Sequence, residues 1–378
     1  MKRIPAIFIL VITVSSLHAQ VQTIKKFIRK MYFSKDTSKH SSFVIVPVLT
    51  SAPETGIEVG GSALYSFYAD TTVKNTNVSN VFGYASITTK DQTNLTLSSA
   101  YWFPGNRTHL SAAISFINFP FDFYGIGNAT SQANQDKLGE HRFKLNLEAE
   151  KKLGDYLFLG IVAGGFDYQF SDSNPTSIYN TDPAVEGKQG GPSVFAGPSL
   201  IFDSRNNNTY TTSGTIVTAY LNIMQGMFTN NNYQGGFFNV EYSGFFSLDK
   251  QWVLGLDVQE QSLVGGQSPF YLLPALGSDG MMRGYYGGRF RDRNFLAGQT
   301  ELRYRISKRF GIVGFAGTGE VFHTDFDPHD LKPNYGGGVR YFFDVQKGLS
   351  IRMDYGVGEK RPGESRQQGL YVALGEAF

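Results

Sequence analysis

From Phe43 onward the chain alternates apolar and polar residues, and this period of two limits the fold more than any other feature. In Arg142-Phe143-Lys144-Leu145-Asn146-Leu147-Glu148-Ala149-Glu150, every second residue is apolar and every residue between is polar. Across 251–261, Trp252, Leu254, Leu256 and Val258 share one face while Asp257, Gln259 and Gln261 take the other. Across 349–357, Leu349, Ile351, Met353, Tyr355 and Val357 oppose Ser350, Arg352 and Asp354. Successive side chains of a strand point to opposite faces, so each run is a strand with one dry face and one wet face. About sixteen such segments fill 43–378, an even number, as single-chain bacterial barrels require. Periodicity alone does not separate a soluble sandwich, polar outside, from a membrane barrel, polar inside.

Composition and the first residues make that choice. Charged residues are 17% of the chain, against roughly 25% in a soluble domain, and aromatic residues are 15%. Residues 1–19 have the form of a secretory signal: Lys2 and Arg3, an apolar run from Ile4 to Val14, then Ser15-Ser16-Leu17-His18-Ala19 before Gln20. No later stretch reaches the ~18 apolar residues of a spanning helix, so an exported chain that enters a membrane must do so as a closed barrel. The fold class expected is therefore all-β, a transmembrane antiparallel barrel of about sixteen strands over 43–378, in one domain. Residues 20–42 read as a short periplasmic amphipathic helix. Ile24, Phe27, Ile28, Met31 and Tyr32 lie on one face, and Lys25, Lys26, Arg29 and Lys30 on the other, which suits a lipid surface or the barrel itself. A formal charge of +2 gives no nucleic-acid signal, and the absence of cysteine excludes disulfides and thiolate metal sites.

Connections after even-numbered strands are mostly tight, such as Pro104-Gly105-Asn106 and Ser307-Lys308. Those after odd-numbered strands include the long ones, 120–140, 171–190 and 265–293. Short turns belong on the periplasmic side, so both chain ends are expected there. The longest loop carries Met281-Met282-Arg283-Gly284-Tyr285-Tyr286-Gly287-Gly288-Arg289-Phe290-Arg291-Asp292-Arg293-Asn294, with four arginines and three glycines. Arginine forks pair with carboxylates, and glycines allow tight backbone approach, so this composition suits a loop folded into an acidic lumen. Arg283 then needs a carboxylate. Strand parity offers Asp354, on the lumen face with Ser350 and Arg352, and Glu320, on the face of Thr318 opposite Phe315 and Val321. Gly284 would permit close approach and Tyr285 would wedge the loop. Other lumen carboxylates, Glu148, Glu150, Asp257 and Glu301, are expected to meet Arg142, Arg303 and Arg305. No catalytic constellation is present, so no enzyme activity and no cofactor are expected. His323, Asp325, Asp327, His329 and Asp330 read as a solvated loop rather than a metal site, since no rigid element holds them.

Met282-Arg283-Gly284-Tyr285 resembles the [Val/Ile]-Arg-Gly-[Phe/Tyr] signature in the sixth extracellular loop of the BamA/TamA, or bacterial surface antigen, family of outer-membrane assembly and translocation barrels. Its place after the eleventh predicted strand is similar too. So are Pro53-Glu54-Thr55-Gly56, Phe123 to Asn128, Asp203 to Asn207 with Gly214, Phe315 to Val321, and Gly336 to Arg340. The terminal Phe378 resembles the sorting signal that the barrel assembly machinery reads. The chain departs from the pattern at Met282, at Gly317 where an acid is usual, and at Glu376 within the last apolar alternation. Residues 20–42 leave no room for the family's periplasmic POTRA domains. The resemblance implies an outer-membrane barrel with lipid around it and client proteins or a periplasmic partner beside it. Three functions fit: assembly or translocation, which the resemblance favours; a passive channel; and a structural barrel serving a separate partner.

Overall fold

The computed structural model describes residues 41–378 apart from 74, 75, 77, 208, 228–232, 346 and 347. The predicted signal peptide and nearly all of the predicted helix segment lie outside the described residues. The barrel strands are β1 Ser42–Ala52, β2 Gly56–Phe67, β3 Ser79–Thr88, β4 Thr93–Trp102, β5 Thr108–Asn118, β6 Asp136–Lys152, β7 Leu157–Ser171 and β8 Gly191–Asp203. They continue as β9 Gly214–Gly226, β10 Gln234–Ser247, β11 Trp252–Gly265, β12 Asn294–Arg305, β13 Phe310–Phe322, β14 Lys332–Asp344, β15 Leu349–Val357 and β16 Gln368–Leu374. Each is antiparallel to the next, and β16 returns to β1, so the sheet closes. Closure removes the unpaired edges that a membrane interior does not tolerate.

The ladders are uneven around the wall. Neighbours such as β6 and β7 are registered from Gly139↔Ser171 to Lys152↔Phe158, whereas among the described residues β1 and β16 share the one partnered position Ser51↔Val372. Pro47 lies in β1 and has no N–H to give to a ladder, which fits an edge-like strand.

Alternation sorts the faces. Leu49, Ile161 and Ile223 point outward with 66%, 63% and 63% of their surface open, a belt that water would not favour and lipid does. Inside, Ser243, Asp257 and Gln299 are buried on the lumen side. On β11 and β15 the faces follow the sequence parity: Val258, Ile351, Met353 and Tyr355 are exposed, and Asp257, Ser350, Arg352 and Asp354 are buried. On β13 the parity expectation is reversed. Val313, Phe315 and Val321 are buried inward, while Phe310 and Ile312 are exposed. Both faces of this strand are apolar because its lumen side packs against an inserted loop rather than water.

At the end of the barrel that carries the long connections, the loops form a cap. Phe121–Phe123 adds three residues of ladder to β6, and Ala275–Leu276 pairs with Phe290–Arg291. Phe123, Leu138, Tyr179, Phe270 and Leu272 pack beneath them as an aromatic core. Placing lysine at Leu256, on the outward face, should cost about 2–4 kcal/mol, whereas lysine at Asn146, on the lumen face, should be tolerated. Heat-modifiability midpoints of the two variants measure the difference.

Candidate functional site: an inserted loop held by buried charge

The loop 266–293 leaves β11 at the cap and turns down into the lumen. Met282 adopts a positive φ of 59° and Gly284 one of 112°, and these two turns present Arg283 sideways to the wall. Gly284 is required by space as well: a Cβ there would lie 2.9 Å from backbone atoms of Gly356, Val357 and Gly358. Loop backbone therefore packs directly on β15 backbone. Tyr285 is fully buried and wedges the descent, its hydroxyl donating to the Pro333 carbonyl (2.8 Å) and accepting from the Glu359 N–H (2.9 Å). From β16, the Tyr371 hydroxyl accepts from Gly284 N (2.9 Å) and donates to the Tyr285 carbonyl (3.2 Å).

Arg283 has no exposed surface. Its Nη1 donates to Asp354 Oδ2 at 2.7 Å, and its Nη2 lies 2.6 Å from Glu301 Oε1, an ion pair outside hydrogen-bond angles. The guanidinium also sits 3.7 Å above the centre of the Phe315 ring, whose face favours a cation. Asp354 is thus one partner. Glu320 is not: it stands on the outward parity of β13, and its carboxylate accepts from Asp327 N at 3.0 Å. Glu301 on β12 takes the second place. At Gly317, where the family pattern has an acid, a Cβ would lie 2.7 Å from Gln299, Asn334 and the Gly298 carbonyl, so the acidic partner comes from the neighbouring strands instead.

These carboxylates are held in turn. Arg303 Nε donates to Glu301 (2.9 Å), Arg340 donates to both oxygens of Asp354, and Arg352 Nη1 reaches Asp354 at 3.3 Å. Arg352 continues to the loop at Asp279 (2.5 Å), and Arg340 Nε continues to Glu376 (2.7 Å). Arg340 and Arg352 are direct cross-strand partners, so two like charges stand side by side until the acids separate them. Four guanidinium groups interleave with three buried carboxylates, and Asp279 joins them at the exposed edge, which is how a charge is carried inside at tolerable cost.

Phe378 closes the mesh from below. After β16, Gly375 (φ 82°) turns the chain off the strand and into the lumen. Glu376 leaves the apolar alternation for this reason, and its other oxygen accepts from the Ser350 hydroxyl (3.2 Å). The Phe378 ring lies 5.9 Å from Phe245, and its carbonyl accepts from Arg303 Nη2 (2.9 Å).

The remaining expected pairs are largely different. Glu150 meets His109 (2.7 Å), Glu148 accepts from the Ser111 hydroxyl (3.1 Å), and Asp257 accepts from the Ser243 hydroxyl (2.9 Å). Arg142 pairs with Glu140 (3.3 Å), and Arg305 donates to the carbonyls of Ser307 and Lys308 (3.1 and 2.7 Å). Only Glu301 with Arg303 forms as the sequence suggested. In the 323–331 loop, His323 faces Asp292 and His329 faces Asp327, and among the described residues no three His, Asp or Glu side chains converge. Sequence reasoning missed Arg340, Glu376 and Tyr371. The signal for Arg340 was present in two arginines on the lumen face of consecutive strands, which demand acids between them.

Above the mesh, Glu364 clasps two loops. It accepts from the Gln132 N–H (2.7 Å) and lies 3.4 Å from Arg289 Nη2, while Arg289 stacks over Tyr124 (4.3 Å). Burial would raise the Glu364 carboxyl, but the Gln132 N–H and the Arg289 guanidinium outweigh it and hold it below its ordinary value.

No protein-family model and no curated protein matches this sequence. Solved structures do match its fold. BamA from Haemophilus ducreyi lacking POTRA domains 1–3 aligns with a TM-score of 0.59 at 12% identity, over 89% of this chain and 70% of that one. CdiB from Acinetobacter baumannii aligns at 0.58 and 12% identity, over 89% and 60%. CdiB from Escherichia coli aligns at 0.56 and 10% identity, over 90% and 63%. The molecule is thus a closed sixteen-stranded barrel with a loop inserted in its lumen. In fold it is a BamA-like barrel, and it spans less than two thirds of the CdiB chains it resembles.

Arg283→Ala leaves two buried carboxylates short of a cation and should cost roughly 3–5 kcal/mol; Arg283→Lys should restore little, since one ammonium cannot reach both acids as a fork does. Heat-modifiability midpoints and urea unfolding measure both. The Glu364 clasp contributes above the free carboxyl's 4.5 and is lost as pH falls through the depressed value. Amide hydrogen exchange across 358–367, taken relative to a Glu364→Gln variant that lacks the carboxylate charge at every pH, should therefore rise on acidification below 4.5.

Proposed function

We propose that this chain is an outer-membrane barrel that assembles or translocates other macromolecules, with both barrel ends of the chain on the periplasmic side. The observation that carries this reading is the contrast between a tightly locked lumen and a weakly paired wall. The loop and the C-terminal tail fill the interior with a charge mesh whose opening would cost several buried ion pairs. Among the described residues the β1–β16 junction has one partnered position, Ser51↔Val372, where other neighbours share seven or more. A barrel built for steady diffusion of solutes has no use for a blocked lumen, whereas one that handles a client at its wall gains from a seam that parts cheaply. The likeness to BamA and CdiB supports the fold on which this reading rests. Clients and a periplasmic partner, with surrounding lipid, are its partners in this view.

The chain has no cysteine, so one engineered pair is unambiguous. Ser51→Cys with Val372→Cys places two thiols on directly opposed residues, at the separation a disulfide spans. Oxidation should leave the fold heat-modifiable, lower the outer-membrane content of other proteins in cells that depend on this one, and be reversed by reductant. Equal function of the oxidised and reduced pair would overturn seam opening. Steady single-channel conductance of the unmodified barrel would instead favour the passive channel.

A further inference from the structure

The outward wall of β1 to β7 holds two neighbouring cavities that the locked lumen does not use. The first, about 590 Å³, lies over β2 and β3. Its floor is Gly61, Ala63, Gly83 and Ala85, which the register sets as the cross-strand pairs Gly61↔Ala85 and Ala63↔Gly83. Ile45 bounds it on β1, and Leu97 and Ile114 bound it on β4 and β5. The floor is open: a Cβ added at Gly61 or at Gly83 would meet no atom within 4 Å. The second cavity, about 390 Å³, lies at the cap ends of β4 to β7 and is bordered by Thr93, Asn118, His141, Asp167 and Gln169. Leu95 and Phe116 line both.

Register makes them one track. Gly61, Ala85, Leu95, Phe116, Phe143 and Asp167 are successive partners across six strands, all on the outward face. At about 4.8 Å per strand the row is roughly 24 Å long, the scale of one phospholipid. One end of it is apolar and open, and the other ends on a carboxylate. Asp167 stands on the outward face at the polar rim of the wall, among Asn118, His141 and Gln169, and among the described residues no cation lies within ion-pair distance of it. Its Oδ2 accepts from Gln169 Nε2 (3.1 Å), and the neighbouring Arg142 gives its charge to Glu140 (3.3 Å) on the lumen side instead. A cation for Asp167 can therefore come from a lipid head at this rim.

We infer that this track is a binding site for one zwitterionic phospholipid with an ammonium-bearing head. The ammonium meets Asp167, the phosphate lies among the donors of Thr93, Asn118 and His141, and one acyl chain runs past Leu95 and Phe116 into the depression over Gly83. An anionic head of the same length brings a second negative charge to Asp167 and is disfavoured.

The test is native mass spectrometry of the full barrel from mixed micelles holding equal phosphatidylethanolamine and phosphatidylglycerol. The wild-type protein should keep one phosphatidylethanolamine in preference by about tenfold, the discrimination expected of one charge-assisted contact. Gly83→Leu, whose Cβ meets no atom within 4 Å, puts a side chain on the open floor and should abolish retention while heat modifiability stays unchanged. Asp167→Asn should keep a lipid but lose the choice of head. No preference in the wild type, retention of a sugar-headed lipid in place of phosphatidylethanolamine, or undiminished retention by Gly83→Leu would each overturn the assignment.

Discussion

A guanidinium that is wholly withdrawn from water has to be neutralised where it lies, and much of this barrel's interior follows from that demand at Arg283. Its two acids, Glu301 and Asp354, stand on strands three apart in the wall. Each acid is itself too costly to bury with one partner, so Arg303, Arg340 and Arg352 approach them. Those cations in turn bring Asp279 from the loop and Glu376 from the tail. Buried ion pairs contribute little net stability compared with a well-packed apolar core, but breaking one is expensive. What they supply here is a single loop position. A loop held only by Tyr285, Met282 and Phe290 could shift by a residue against β13, whereas the forks match only one placement.

The mesh also decides which parts of the wall are tied together. It joins β12 to β15 through the loop and extends past β16 through Glu376 and the Phe378 carbonyl. Among the described residues, none of its ion pairs includes a β1 side chain. The first strand is held by its full ladder to β2 and by one position to β16. Stiffness therefore lies along the C-terminal half of the barrel, and compliance lies at the junction where the chain begins and ends. This distribution is a property of the fold; that it serves an assembly or translocation function is an inference from it.

The cap of loops completes the closure by different means. Its core is aromatic, with Phe123, Phe270 and Tyr179 in edge-to-face contact, and its rim is fastened by hydrogen bonds such as Gln132 to Glu364. Apolar packing tolerates small displacements and the rim bonds are only partly buried, so the cap is held less rigidly than the mesh beneath it. A path through the lumen would meet both layers, whereas a path through the wall meets neither.

Much of this was legible along the chain. A period of two is a direct consequence of strand geometry, so the strands, their number, the lipid-facing side of β11 and β15 and the lumen position of Asp354 could be read from residues alone. The arginine-rich composition of 281–294 likewise signalled an acidic destination, because a buried guanidinium has few alternatives. The identity of the second acid could not be read. Glu301 and Glu320 have equal standing in a sequence, and only the inserted loop, by turning Phe315 inward and making β13 apolar on both sides, excludes Glu320. The turn at Gly375 was equally hidden: one backbone angle moves Glu376 and Phe378 from the wall into the lumen, and no periodicity reports an angle. Local alternation determined which residues form the wall, because each strand's faces depend only on its own sequence. Tertiary structure decided which charges meet, because pairing depends on where distant segments come to rest.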